Sequence, residues 1–203
     1  MLPTVLRLTK LIGGLYAYGW GLALMVHAKI GIPPWDVLAQ GISVQTKLSY
    51  GVSSVIVSAL VLVAWIPLKQ KPGLGTVLNA VLIGLFADTV FPLLPDLNGV
   101  YWLQLLEFCG GMVLVALATG LYISSRFGSG PRDGLMVGTQ QATGWPFWIV
   151  RTMFEVTVLT IGGLMGGQVR EGTLIFAVCI GYLMQTSMKA FGVPIKKRNT
   201  KRA

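Results

Sequence analysis

Two short motifs, 97 residues apart, hold the side chains best placed to bind something: Gly31-x-x-Pro34-x-Asp36 and Gly128-x-x-Pro131-x-Asp133. Glycine at the first position permits a sharp turn. Proline suits the first turn of a helix, where its missing N–H leaves no bond unmade. The aspartate then falls in that first turn, where the helix dipole favours negative charge. Taken singly, each motif is a capped helix start. Taken as a pair aimed at one point, they make an ion or solute site, with free N–H groups and Arg132 for an anion, or the two carboxylates for a proton or Na⁺.

Other ionisable residues sit inside apolar stretches, where a charge is costly and by default points to function. Glu155 lies well inside one such stretch with Arg151 four positions earlier, on the same face of a helix. The pair reads equally as a neutralising ion pair or as the lining of a pathway. Asp88 is a further candidate, and the residue 97 positions on from it, Gln185, is also polar. Glu107 and His27 stand near the ends of apolar runs and read as interfacial groups. Cys109 and Cys179 fall within apolar runs and His27 is the single histidine, so the residues assemble no metal site, disulfide framework or Cys/His nucleophile. Neither a cofactor nor an enzymatic activity is expected.

The elements that must position these residues follow from composition. Of 203 residues, 54% are hydrophobic and 11% charged, with a mean hydropathy of +0.71, whereas soluble domains carry roughly a quarter charged residues. One all-α polytopic membrane domain over residues 1–203 is expected. Runs of spanning length cover 11–28, 52–68, 74–94, 100–124, 147–165 and 173–191, which makes about six transmembrane helices. The first follows Arg7 and Lys10 without a cleavage-site pattern and reads as a retained span. Two semi-apolar segments, 33–46 and 131–143, are too short to cross and read as half-helices, either re-entrant or interfacial.

Basic residues set the orientation. With both termini inside, Arg7, Lys10, Lys69, Lys71, Arg126, Arg132 and six residues of the final stretch face the cytoplasm, against Lys29, Lys47 and Arg170 outside. The stretch 192–203 reads as a basic cytoplasmic tail that meets anionic lipid headgroups rather than nucleic acid.

Sliding the chain by 97 positions aligns 8–88 with 105–185 without a gap, and 18 of the 81 pairs are identical, against about 6 by chance. The identities include Gly13-Gly14 with Gly110-Gly111, the two Gly-x-x-Pro-x-Asp motifs, and Gly75-Thr76 with Gly172-Thr173. The chain thus divides into repeat 1 (8–96) and repeat 2 (105–191). Three spans per repeat would insert the second copy upside down, the inverted-repeat plan of many secondary transporters. Were each half-helix a complete crossing, the repeats would have four spans and lie parallel.

The stretch from Phe127 through Gly128, Pro131, Arg132, Asp133, Gly134 and Leu135 resembles the bacterial YczE/YitT family of integral membrane proteins, as do the run from Arg151 and Thr152 to Leu159, Gly172-Thr173, and the first-repeat counterpart Pro34-Trp35-Asp36-Val37-Leu38. The resemblance covers nearly the whole chain and implies an inner-membrane protein of several helices, without a substrate, reaction or set of functional residues.

Gly13, Ala17 and Gly21, and the pairs Gly162/Gly166 and Gly163/Gly167, recur at four-residue spacing and read as close-packing stripes, within the chain or in a homodimer. Trp35, Trp65, Trp102, Trp145 and Trp148 read as interfacial anchors. The expected function is transport of a small solute or ion through a midplane site between inverted repeats. The alternative is a membrane scaffold or regulator that acts through a partner.

Overall fold

The computed structural model describes residues 4–97 and 99–194. The basic residues from 195 onward, most of the expected tail, lie outside the described residues. All regular structure among the described residues is helical: α1 (Thr4–His27), α2 (Pro34–Thr46), α3 (Tyr50–Ala64), α4 (Leu74–Val90, extended by a 3-10 turn Phe91–Leu93), α5 (Tyr101–Ser124), α6 (Pro131–Thr143), α7 (Phe147–Leu164) and α8 (Glu171–Ala190). Helices α6, α7 and α8 start 97 residues after α2, α3 and α4, at 34 and 131, 50 and 147, 74 and 171, and α5 is the counterpart of α1.

Local chemistry explains several boundaries. The short helices α2 and α6 both carry proline in the first turn and end in left-handed caps, at Lys47 (φ 59°) and Gly144 (φ 73°). The Ser49 hydroxyl accepts a hydrogen bond from the Val52 N–H and so caps α3.

Four helices are long and apolar enough to cross a membrane: Leu74–Leu93, Tyr101–Ser124, Phe147–Leu164 and Glu171–Ala190. Of the other two expected spans, α1 has 24 residues but dilutes its apolar run with glycines, tyrosines and a tryptophan. The second, expected to reach residue 68, ends as a helix at Ala64 after 15 residues and continues only as turns, short of the roughly 20 residues of a full crossing.

The centre of the bundle is the pair α1 and α5, which run antiparallel. At one end the Arg7 guanidinium donates to the carbonyls of Ser125 (2.9 Å) and Arg126 (3.2 Å). At the other, His27 Nδ1 lies 2.9 Å from Glu107 Oε1, so these two residues pair with each other rather than reaching separately for headgroups. Between them Gly21 and Gly111 pack backbone to backbone, such that a Cβ on either would come within 2.6 Å of the other's carbonyl oxygen. The contact stripe on α1 is therefore Gly14 and Gly21, whereas Gly13 meets nothing within 4 Å. Gly162 and Gly167 likewise pack on Leu38 and Val37 of the α2 segment, while Gly166 ends the helix in a left-handed turn (φ 94°).

Helices α4 and α8 flank this pair, and each begins against the other repeat. The Gly75 N–H donates to Phe127 O (2.8 Å), and the Gly172 N–H donates to Ile30 O (3.0 Å). The Thr76 hydroxyl donates to Ser129 O (2.7 Å), and Thr173 Oγ1 accepts from the Ile32 N–H (3.2 Å). Gly128 holds a φ of +108°, a conformation open to glycine, and Gly31 passes so close to Thr173 that a Cβ would reach the Thr173 nitrogen at 2.5 Å. The motifs that the two repeats share most closely are thus the ones that bind each other across the repeats.

Candidate functional site

The two short helices bring their N-terminal turns together. Arg132 Nη2 of α6 lies 3.0 Å from Asp36 Oδ1 of α2, and the guanidinium stands 5.8 Å from the centre of the Trp35 ring. Deeper in, Arg151 of α7 reaches Asp133 with Nη1 at 2.7 Å and Glu155 with Nε at 2.9 Å. The other Asp133 oxygen accepts a hydrogen bond from the Tyr122 hydroxyl, which itself accepts the Gly130 N–H at 3.0 Å.

Asp133 therefore does not cap its own helix; its carboxylate ties α5, α6 and α7 into one cluster. Neither short helix has a side-chain N-cap bond, so capping alone does not account for the aspartates. Glu155 is fully buried, and the contact of its Oε1 with Arg151 Nε is close but lacks hydrogen-bond alignment, so neither carboxylate oxygen has a hydrogen-bond partner.

A cavity of about 230 Å³ opens onto this cluster, lined by Asp36, Arg132, Asp133 and Arg151 together with Tyr18, Ser54, Ser58 and Asn79. Its two sides are related by the 97-residue offset but differ in chemistry. Ser54 and Ser58 of α3 correspond to Arg151 and Glu155 of α7, and Trp35 corresponds to Arg132. One repeat thus brings charge and the other brings hydroxyls and an aromatic ring. Packing is uneven in the same sense, because α7 lies against α8 while α3 and α4 share no comparable contact. The cavity is lined by residues of both α3 and α4 on that side.

Of the residues singled out from the sequence, Asp36, Arg132, Asp133, Arg151 and Glu155 are gathered here, framed by the turns at Gly31-Pro34 and Gly128-Pro131. Asp88 is not: it is exposed near the end of α4 and does not line the cavity. Its counterpart Gln185 accepts the Trp148 N–H instead. Trp35 and Trp65 are buried rather than interfacial, and Trp65 Nε1 donates to Pro131 O at 2.9 Å. Trp102, Trp145 and Trp148 are exposed as expected of anchors.

Tyr18, Tyr122 and Asn79 carry no sequence signal, since Tyr122 aligns with Met25 and Asn79 with Phe176. Ser54 and Ser58 could have been found, because the offset that pairs the repeats sets them against the two buried ionic residues of α7. Among the described residues no three His, Cys, Asp or Glu side chains gather to hold a metal ion.

A helical, multi-pass membrane protein with a small charge-lined cavity is the class that this fold and site define. Residues 5–189 match a family described as a family of unknown function, DUF6198, and the chain belongs to that family. It is 35% identical over 187 residues to the "Uncharacterized membrane protein YczE" of Bacillus subtilis, covering 91% of this chain and 86% of that one. It is 40% identical over 168 residues to an "Uncharacterized protein" of Haemophilus influenzae, covering 82% and 76%. The resemblance drawn from the Pro-x-Asp motifs therefore holds. No solved structure matches the chain.

Proposed function

We propose that the protein transports a small solute or ion across the bacterial inner membrane, through the cavity between two inverted repeats. The observation that carries this reading is the meeting of two half-helix starts, one from each repeat, at the Asp36–Arg132 pair (3.0 Å) on the cavity wall. The antiparallel course of α1 and α5, which are counterparts in the repeat, supports the inverted relation. A protein with a site between such halves can expose it to one side and then the other by rocking one repeat against its mate. At about 230 Å³ the cavity is smaller than the roughly 300–1,000 Å³ of pockets for drug-sized ligands, which favours a solute of few atoms. Arg7, Lys10 and Arg126 surround a cleft at one end of the bundle beside residues 191–194, and we assign that end to the cytoplasm with both termini. No chemical reaction is assigned to the cavity.

Purified protein in liposomes, screened with small anions, cations and zwitterions, should move at least one class. The double variant Asp36→Asn with Asp133→Asn should abolish that flux while retaining membrane insertion. Flux unchanged in the double variant would overturn the site.

The same basic cleft favours a second reading, in which the protein anchors a partner or anionic headgroups at the membrane surface. Absence of any flux, with loss of the cellular phenotype on deletion of residues 196–203, would select it.

A further inference from the structure

We propose that Glu155 is the proton-binding site of the charged cluster that stands behind the cavity wall. The central cluster holds three carboxylates (Asp36, Asp133, Glu155) and two guanidiniums (Arg132, Arg151), so full ionisation leaves one negative charge in excess. A surplus charge at bilayer depth is costly, and a buried carboxyl group without partners takes up a proton before it stays ionised.

The three carboxyl groups differ in how they are held. Both oxygens of Asp133 are occupied, by Arg151 Nη1 at 2.7 Å and by the Tyr122 hydroxyl, so this carboxylate is the best satisfied of the three. Asp36 meets Arg132 at 3.0 Å and retains 17% side-chain exposure on the cavity wall. Glu155 has no exposure, its Oε2 has no partner, and its contact with Arg151 Nε lacks hydrogen-bond alignment.

The charged groups that act on Glu155 are Arg151 on its own helix, Arg132 and Asp133 from α6, and Asp36 from α2. Helix α8 carries charge only at its ends, Glu171 and Lys189; its Tyr182 is exposed and its Cys179 is a partly buried thiol. A metal ion is a poorer neutraliser than a proton, because no three carboxylates converge on one point among the described residues.

Arg151 supplies the switch. With Glu155 protonated, the guanidinium is committed to Asp133. Arg151 lines the cavity and Glu155 stands behind it; when the Glu155 O–H passes its proton to water that enters the cluster past Arg151, the resulting carboxylate competes with Asp133 for the same guanidinium. This deepens the transport reading and rests on it: in an alternating-access cycle the proton on Glu155 is the coupling ion.

Infrared spectroscopy of the purified full-length protein in lipid films at neutral pH tests the proton site without a known solute. A protonated carboxyl C=O stretch is expected, shifted to lower frequency by ¹³C-glutamate labelling, unmoved by ¹³C-aspartate, lost in Glu155→Gln, and retained in Glu107→Gln and Glu171→Gln. Should Glu155→Gln not fold, the ¹³C-glutamate shift with retention in the other two variants makes the same assignment. No such band, a band that follows aspartate label, or one lost in Glu107→Gln or Glu171→Gln overturns the proposal. A protein with the band that moves no solute removes the transport reading and leaves the proton site. Flux without the band does the reverse.

Discussion

Replacing Asp133 with asparagine removes the charge facing Arg151 and leaves one acceptor oxygen for two donors, Arg151 Nη1 and the Tyr122 hydroxyl. Breaking a buried ion pair from one side costs about 3–5 kcal/mol, so Asp133→Asn should lower the thermal unfolding midpoint in detergent markedly. Asp36→Asn should lower it less, because the Asp36–Arg132 pair keeps side-chain exposures of 17% and 29% and water can stand in for the lost partner. Equal losses in the two variants would contradict the burial difference. Tyr122→Phe leaves one carboxylate oxygen and the Gly130 N–H without their shared hydroxyl, a loss of about 1–3 kcal/mol measured the same way. At this scale the sequence was informative wherever the repeat duplicated a residue type, as with Asp36 and Asp133. Tyr122 was invisible because its counterpart is methionine, and Asp88 attracted notice because its counterpart is polar, yet it faces outward.

Helix α1 has glycines in two registers, and only contact with α5 distinguishes them. Gly21→Ala places a methyl against the Gly111 carbonyl, backbone that cannot turn aside, whereas Gly13→Ala extends into open space. Overpacking costs typically 1–3 kcal/mol, so Gly21→Ala should destabilise the protein by about that much or more, and Gly13→Ala should be neutral, in denaturant or thermal melts of the reconstituted protein. In a chain with 26 glycines, four-residue spacing alone cannot select the register, since the partner helix is what makes one face intolerant of a side chain. Helix starts were far more legible. Proline fixes the backbone at the beginning of α2 and α6, and both copies of the motif mark the same boundary. The end of α3 carried one signal, Pro67 three residues past Ala64, which stops a helix but is masked by apolar residues that continue to Leu68.

For the whole molecule, the proposed inverted plan makes a topological demand. Single cysteines placed at Gln70 and Asp96, in a background lacking Cys109 and Cys179, should be labelled by a membrane-impermeant thiol reagent from opposite faces of the membrane. Labelling of both from one face would contradict inversion of the repeats. The 97-residue duplication made the order of helices readable before the structure, but not which of them meet at the centre, since that depends on side chains such as Arg151 and Asp133, which are 18 positions apart and on different helices. The reciprocal bonds from Gly75 to Phe127 and from Gly172 to Ile30 also set a timetable. As the chain is synthesised, the Gly75 N–H at the start of α4 lacks its acceptor until residue 127 has emerged, and the turn before α2 stays unclamped until residues 172 and 173 arrive. The turn that carries Asp36 into the charged centre is thus clamped only after most of the polypeptide has been made, when the start of α8 closes over it.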